Sequence, residues 1–306
     1  MIQRRVFNDT VWLDICEPTS EEIQEVIREF NLDPFLAGKL ENKNTRQKVE
    51  LHSNGIFMVL HVPAFKKRSM VRDTVIQEID FIIGENFLIT ARYDYIEALH
   101  RSAKMLEVNS TLNKDGSDNG TIFIFFRIFK EIYNSLTSEL EDINMVVDDI
   151  SRDMFDGKEK QMVFSISYVT RTLLEFKKTV VAHKQLLKLL ESAGNSFFGS
   201  FFANYVNAIR AEYTKIENSI EISKEVITNF HWTNMSLVST KQNEIILMLT
   251  SVTFLLLPLS FIVSLFFLDT FSQMLPPAPY DLWILLGTLS AVALILASTF
   301  RHKGWL

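Results

Sequence analysis

Small uncharged polar side chains recur along one face of a predicted helix near the C-terminus. Projected at about 100° per residue, the segment after Gln242 places them on a single stripe. The stripe consists of Asn243, Ile246, Thr250, Thr253, Leu257, Ser260 and Ser264. Hydroxyl and amide groups can hydrogen-bond water or a hydrated ion without carrying charge. The pattern therefore predicts either a water-lining face in an assembly of several chains, or Ser and Thr that permit close helix packing or bond back to helix carbonyls.

No catalytic arrangement competes with this stripe. The six histidines, at positions 52, 61, 100, 183, 231 and 302, lack the spacing of an HExxH metal site. The chain also has no glycine-rich phosphate loop and no G-x-S-x-G elbow. We therefore predict that the protein is not an enzyme and that its histidines are structural or surface residues.

The stripe belongs to a segment that is long enough to cross a membrane. Residues 245–268 form a run of 24 without a charge, which gives roughly 36 Å of helix against a hydrocarbon core of about 30 Å. A second uncharged run of 19 residues covers 282–300. We predict transmembrane helices at 242–268 and 282–300, an external loop at 269–281, and a basic tail at 301–306.

The distribution of positive charge predicts the orientation in the membrane. The loop between the spans contains no Lys or Arg, whereas Lys241 precedes the first span and Arg301 and Lys303 follow the second. By the positive-inside rule both termini are cytoplasmic. The expected location is the plasma membrane or a bacterial inner membrane, with membrane lipid as a partner.

Composition argues against other classes of protein. The net charge of −6 is unfavourable for phosphate contacts, and the densest basic cluster, Lys66-Lys67-Arg68, resembles a solvated turn. We therefore predict no nucleic-acid partner. The only cysteine, Cys16, excludes an intrachain disulfide and fits a reducing compartment.

Residues 1–120 predict an α/β domain. Runs rich in strand formers, joined by turn sequences such as Ser53-Asn54-Gly55, predict an antiparallel meander of about four strands. These runs are Lys48 to Leu51, Gly55 to Val62, Val75 to Ile83 and Phe87 to Thr90. A helix with Ser20 as its N-cap precedes them, and helices should cover the apolar face of the sheet. The polar linker Asn109 to Gly120 ends this domain.

Residues 121–241 predict helices only. Ile122 to Phe155 and Glu159 to Ser192 are periodic, and Ala193-Gly194-Asn195 is expected to end the second helix. Ser200 to Leu268 has no glycine, which predicts a continuous stalk helix of roughly 100 Å. Its apolar stripe needs cover from other helices of the chain, from other copies of the chain, or from both.

The first of these helices is rich in acids. Paired carboxylates such as Asp148-Asp149 could bind a divalent cation through oxygen ligands. Acids at this density on a helix are more often a solvated face, so metal binding here is the secondary interpretation.

Several motifs, spread over nearly the whole chain, resemble the CorA family of divalent cation transporters. They are Trp12-Leu13-Asp14, Gln47 to Glu50, Phe57 to Pro63, Ile79 to Thr90, Asn243-Glu244 entering the first span, Leu257 to Ile262 within it, and the basic tail Arg301 to Leu306. The resemblance implies a funnel-shaped homopentamer with a cytoplasmic α/β domain, a long stalk helix continuous with a pore-lining first span, and a second span outside it.

The resemblance also implies a function. Family members carry Mg²⁺, and often Co²⁺ or Ni²⁺, as hydrated ions, and divalent cations bound between cytoplasmic domains gate the pathway. Divalent cations are thus the expected substrate and a possible gating ligand, and no other cofactor is expected. Carried over by position, the pore lining consists of Asn243, Ile246, Leu249, Leu257, Ser260 and Ser264, which nearly coincides with the stripe above.

One departure from the family lies at the outer end of the first span. The signature Gly-Met-Asn is replaced by Phe267-Leu268-Asp269, so a ring of asparagine amides becomes a ring of carboxylates. Asp269 is therefore the candidate metal-binding residue, and Phe267 cannot adopt the positive φ angles open to glycine. The family's regulatory carboxylates cannot be placed residue by residue in this chain.

The departure keeps two other functions open. A non-conducting, regulatory scaffold could retain the pentamer without the signature. Proton-coupled Zn²⁺ transport of the ZntB type could use Asp269 as a titrating group. A divalent-cation channel with altered selectivity at its mouth is the first prediction.

Overall fold

The computed structural model describes residues 2–66, 73–112, 120–266 and 280–302. It divides into two compact units, Met1–His231 and Trp232–Leu306. The first unit combines a sheet with helices, and the second contains the end of one long helix and a second apolar helix. The functional domain boundaries proposed from the sequence stay predictions.

The first unit is built on a mixed sheet of six strands in the order β1-β2-β6-β5-β4-β3. The strands are β1 (Ile2–Phe7), β2 (Thr10–Cys16), β3 (Lys48–His52), β4 (Gly55–Lys66), β5 (Asp73–Ile83) and β6 (Phe87–Arg92). Strands β3 to β6 pair antiparallel, as the meander prediction requires. The sheet is larger than predicted, because β2 joins β6 in parallel and β1 adds a further strand beyond β2.

A buried polar cluster fixes the parallel pairing of β2 with β6. The Trp12 indole donates to the Thr90 hydroxyl at 3.1 Å, and that hydroxyl lies 2.9 Å from Asp14 Oδ1. The Arg92 guanidinium lies 3.1 Å from Asp14 Oδ2. Buried polar groups must be paired, so a shift of register would leave several of them without partners. The cluster gives a structural role to the Trp12-Leu13-Asp14 motif.

The helices are α1 (Ser20–Glu29), α2 (Ala37–Glu41), α3 (Glu97–Leu112), α4 (Thr121–Phe155), α5 (Glu159–Phe198), α6 (Phe202–Phe266) and α7 (Tyr280–His302), with a 3₁₀ turn at Pro34–Leu36. The predicted N-cap of α1 was wrong by one residue. Thr19 caps the helix, because its hydroxyl accepts from the Glu22 N–H at 3.3 Å while the Glu22 carboxylate accepts from the Thr19 N–H at 3.1 Å.

The predicted start of the linker and the predicted end of one helix were also wrong. Helix α3 continues to Leu112, so the first residues of the predicted linker 109–120 are helical. Helix α5 runs through Gly194 to Phe198. A Cβ atom at position 194 would lie 2.1 Å from the Phe202 ring, so this glycine permits close packing and does not end the helix.

Helices cover both faces of the sheet. On one face, α1 and α2 form a core with residues such as Leu13, Phe57 and Ile89. On the other face, the Phe81 ring lies 5.7 Å from Phe125 of α4. A sheet covered on both sides needs strands that are apolar throughout, and β6 is buried at every position.

A buried histidine joins three elements beneath the second face. His183 of α5 donates from Nε2 to the carbonyl of His61 on β4 at 2.8 Å, and its Nδ1 lies 3.1 Å from the Tyr133 hydroxyl of α4. Burial lowers the pKa of His183 to about 4. The neutral ring therefore accepts at Nδ1 while it donates at Nε2.

The first part of α6 packs along α4 and α5 within the same chain. The Ser223 hydroxyl donates to Asn144 Oδ1 at 2.7 Å, and Arg210 pairs with Glu191. Ile216 and Ile220 are each 2% exposed. Much of the apolar stripe of the predicted stalk is thus covered by helices of its own chain.

Two buried acids on β5 differ in protonation. Glu78 accepts from the backbone N–H of Asn44 at 2.7 Å, and the His61 ring lies 3.8 Å from its Oε2. Burial alone would raise the pKa of Glu78, but the neighbouring His61 and the hydrogen bonds from Asn44 outweigh burial and lower the pKa. Asp80 is 1% exposed, and its Oδ2 lies 3.3 Å from the Tyr93 hydroxyl. Burial, with the charge of Glu78 beside it, raises the pKa of Asp80 to about 9.

This difference predicts the pH dependence of stability. Above about pH 4 an unfolded Asp80 loses its proton while the folded chain retains it, so stability falls as pH rises toward about 9. An amide stays neutral, and Asp80→Asn should weaken this fall in the unfolding midpoint between about pH 5 and about pH 9. The midpoint can be followed by scanning fluorimetry of the full-length chain in detergent.

The exposed Asp148 of α4 supplies the control for this measurement. Asp148→Asn makes the same side-chain replacement at a solvated site and should follow the wild-type pH profile. An Asp80→Asn profile parallel to that of the wild type would contradict the assignment of a buried neutral acid.

Candidate functional site

The predicted pore-lining residues lie on the last third of α6. This helix contains no glycine, and its only proline is Pro258. Pro258 removes one N–H from the helix ladder, and the remaining backbone bonds continue. Both α6 and α7 contain a stretch long and apolar enough to cross a membrane.

All eight predicted lining residues are exposed in the single chain. They are Asn243, Ile246, Leu249, Thr250, Thr253, Leu257, Ser260 and Ser264. At about 100° per residue they occupy one arc of the helix, of roughly 120°. From Ser251 onward the opposite arc is covered: Ser251 is 5% exposed, and Leu255 and Ile262 are half-buried, whereas Glu244 and Met248 earlier on the same arc are exposed. The second unit by itself thus leaves the predicted stripe free and covers the other face.

Helix α7 supplies the matching surface in the second unit. Its half-buried and buried residues are spaced by three or four and form one stripe, consisting of Leu285, Leu289, Val292, Ala293, Leu296, Ala297 and Phe300. Such a stripe is typical of a helix that packs on one side only. The two apolar helices therefore lie side by side, with α7 on the arc of α6 opposite most of the predicted lining.

An open groove of about 650 Å³ runs between α6 and α7. Ser260 and Ser264 line it together with Ser290 of α7, a residue that the sequence interpretation did not select. Ser260 and Ser264 thus border the groove on the side of the stripe nearest α7, whereas the other six residues lie outside the groove.

One hydroxyl of the stripe bonds back to its own helix. Thr253 Oγ1 donates to the Leu249 carbonyl at 2.9 Å. This bond uses the only proton of the hydroxyl and leaves its lone pairs available as acceptors. An acceptor of this kind can receive a hydrogen bond from the hydration water of a cation.

The candidate selectivity position Phe267, Leu268 and Asp269 lies outside the described residues. The same is true of most of the predicted external loop and of Lys303 to Leu306 in the tail. The metal-binding role of Asp269 therefore stays a prediction.

The acids of α4 form a solvated face. Asp148 and Asp149 are exposed, Asp149 pairs with Arg152, and Asp153 lies 2.6 Å from Lys158 Nζ. Within residues 2–66, 73–112, 120–266 and 280–302, no group of three or more His, Cys, Asp and Glu side chains is placed to hold a metal ion. The exposure and these ion pairs fit the solvated-face interpretation, and metal binding at Asp148-Asp149 stays the secondary prediction.

Comparison with known proteins gives a consistent result. The sequence profile of a family described as CorA-like Mg²⁺ transporter protein matches residues 7–302. The cobalt/magnesium transport protein CorA of Methanocaldococcus jannaschii is 19% identical over 296 residues, which cover 97% of this chain and 91% of that protein. The protein of the same name from Thermotoga maritima is 20% identical over 300 residues, with coverage of 96% and 83%.

A solved structure shares the fold. The complete structure of the CorA magnesium transporter from Methanocaldococcus jannaschii matches with a TM-score of 0.81 at 19% identity, covering 97% of this chain and 92% of that chain. This match confirms the predicted fold class of an α/β domain, a long helix and two apolar C-terminal helices. The homopentamer stays a prediction.

The exposed stripe can be tested without measuring transport. Cys16 is the only cysteine, so Cys16→Ser gives a chain without a thiol. Single cysteines can then be placed on the stripe, at Thr253 or Leu257, and on the covered face, at Leu255 or Ile262. In membranes, a charged thiol reagent should modify the stripe positions at least about tenfold faster, because thiolates react only where water reaches them. Equal rates on both faces would contradict a water-lined stripe.

Proposed function

The chain belongs to the CorA-like Mg²⁺ transporter family, and we propose that it is a channel-type transporter that moves divalent metal cations, Mg²⁺ first, across the inner or plasma membrane. Co²⁺ and Ni²⁺ are further candidate substrates. The observation that carries the proposal is the uncharged stripe of α6, whose eight residues are all exposed and mostly face away from α7, within a chain that matches the family over residues 7–302.

The chemistry of the stripe suits a hydrated ion. Mg²⁺ dehydrates reluctantly and usually keeps several waters when it is bound. Thr250, Thr253, Ser260 and Ser264 offer hydroxyl oxygens, and Asn243 offers an amide. Such groups can hydrogen-bond the water shell of the cation. Because they carry no charge, they do not bind the cation too tightly for it to move on.

One chain supplies only one lining helix, so conduction requires several copies around an axis. We propose the homopentamer that the family resemblance implies, with α6 lining the axis and α7 outside it. Asn243 and Thr250 are polar side chains exposed on the free face of α6. In an assembly they would meet water at the axis, where polar groups cost less than in lipid.

The membrane potential supplies a driving force. A divalent cation that enters a negative interior gains about 4.6 kcal/mol per 100 mV. This gain needs no chemical energy source. A passive pathway is therefore sufficient for uptake, in agreement with the absence of any catalytic motif in the sequence.

In a pentamer, Asp269 would place five carboxylates at the outer end of the pathway. Like charges at close range raise one another's pKa, so part of the ring would keep its protons near neutral pH. The remaining charges would bind a cation more tightly than neutral amides do. We propose that Asp269 captures external cations and sets the selectivity of entry.

Flux into proteoliposomes tests the proposed function. The purified full-length chain should admit Mg²⁺, with Co²⁺, Ni²⁺ and Zn²⁺ as comparisons, under an inside-negative potential. Thr253→Phe should lower the flux at least about tenfold, since a ring on the stripe narrows the path. Val252→Phe adds a ring to an exposed position off the stripe and is the matched control.

Two results would contradict the proposal. An absence of flux for all four ions would favour the non-conducting scaffold. Zn²⁺ flux that occurs only with a pH gradient would favour proton-coupled transport of the ZntB type.

The role of Asp269 has its own test. In the same flux assay, other external divalent cations compete with Mg²⁺ for entry. Asp269→Asn should raise the competitor concentration needed to halve Mg²⁺ flux at least about tenfold, because neutral amides replace carboxylates. Asp281→Asn removes the other acid between the two spans and should leave competition within about twofold of the wild type. Equal effects of the two changes would point to general surface charge and contradict a specific ring at Asp269.

A further inference from the structure

A separate cavity of about 230 Å³ lies in the first unit, between α3 and α4. Its lining consists of Ser102, Met105 and Leu106 from α3, and Arg127, Lys130, Glu131 and Asn134 from α4. The cavity is smaller than the roughly 300–1,000 Å³ of pockets for drug-sized ligands. It is therefore suited to a small ligand.

The only acid in the lining is already neutralised. Glu131 is 7% exposed, and its Oε1 lies 2.9 Å from Arg101 Nε. Its Oε2 accepts from Asn134 Nδ2 at 3.2 Å. Both carboxylate oxygens are thus engaged, and the charge of Glu131 is balanced by Arg101.

The two cations in the lining have no such partners. In the part of the chain that the structure describes, neither Arg127 nor Lys130 forms an ion pair or a hydrogen bond; the Arg127 guanidinium lies 6.0 Å from the centre of the Phe123 ring. Residues spaced by three on a helix are neighbours on one face. The pocket is therefore bordered by two cations without an ion-pair partner among the described residues, the half-buried Arg127 and the exposed Lys130, in a chain whose net charge is −6.

We propose that this pocket binds a small phosphate dianion, either inorganic phosphate or the phosphate group of a monoester. The planar guanidinium fork of Arg127 matches two phosphate oxygens, and Lys130 supplies a point charge for a third. A single carboxylate offers only one negative charge and two oxygens, and it would leave one cation without a match.

The remaining lining fits the same ligand. The Ser102 hydroxyl donates to the Ala98 carbonyl at 2.8 Å, so towards the pocket it can only accept. A phosphate that keeps one proton, or a hydroxyl on a monoester, can donate to it. Met105 and Leu106 provide an apolar wall that the carbon atoms of a monoester can contact.

Calorimetric titration of the full-length chain in detergent tests this site. The probe is sodium phosphate at about pH 7.5, where the dianion dominates, without divalent cations and at constant ionic strength. Wild-type protein should bind phosphate saturably, and phosphate should raise its unfolding midpoint, as any ligand of the folded state does. The double variant Arg127→Gln, Lys130→Gln should bind at least about tenfold more weakly.

A matched double variant distinguishes phosphate binding in the pocket from a general effect of removing two positive charges. Lys184 and Lys188 are exposed on one face of α5, and Lys184→Gln, Lys188→Gln removes the same charge. This control should keep phosphate affinity within about twofold of the wild type. Equal weakening by both double variants, or no saturable binding to the wild type, would overturn the proposal.

Two further probes define the ligand. Methyl phosphate that binds as well as inorganic phosphate assigns the site to a monoester, whereas selective binding of inorganic phosphate assigns it to the free ion. Acetate that binds as tightly as phosphate would overturn the assignment to a dianion. Unfolding midpoints of both double variants without ligand check that each is folded, and Lys130→Gln alone provides a milder change with the same expected direction.

Discussion

A chain that crosses lipid must satisfy its backbone polar groups within itself, and this constraint shapes α6. From Phe202 to Phe266 the helix has no glycine, so the ladder of backbone bonds runs from the first unit into the second. Pro258 interrupts the ladder once, and Thr253 Oγ1 donates to the Leu249 carbonyl one turn before it. The first part of the helix packs on α4 and α5, and the last part presents its hydroxyls on a free face.

The first unit meets the opposite requirement, because it brings polar groups into an apolar interior and must pair each of them. Asp14, Thr90 and Arg92 pair with one another and thereby hold the parallel strands β2 and β6 in register. His183 joins α4, α5 and β4 as a neutral ring. Asp80 keeps its proton beside an ionised Glu78, which avoids two buried charges of one sign.

Periodicity in the sequence predicted most of the helices, the strands β3 to β6 and both apolar segments, because each depends on a local pattern. Strand β1 escaped prediction, since its Arg4 and Arg5 obscure the pattern; Arg4 pairs with Glu29, and Arg5 pairs with Glu107 and lies over Trp12. The N-cap at Thr19 could have been predicted, because Thr19 has a glutamate three residues later, at Glu22, whereas Ser20 does not. The protonation of Asp80 could not, because it depends on burial and on contacts with distant residues.

For the candidate site too, local sequence patterns were predictable and contacts between distant residues were not. The stripe follows from helical spacing alone, and the structure adds which face α7 covers. Between Ile245 and Phe300 the only charged residues are Asp269 and Asp281, so under the proposed function the strongest electrostatic interaction with a cation lies at the outer mouth. The more tightly this site binds the cation, the more slowly the cation is released into the neutral stripe. Under the proposed function, partial protonation of an Asp269 ring would make this site shallower, so that Asp269 would govern entry of the cation while the stripe forms its path.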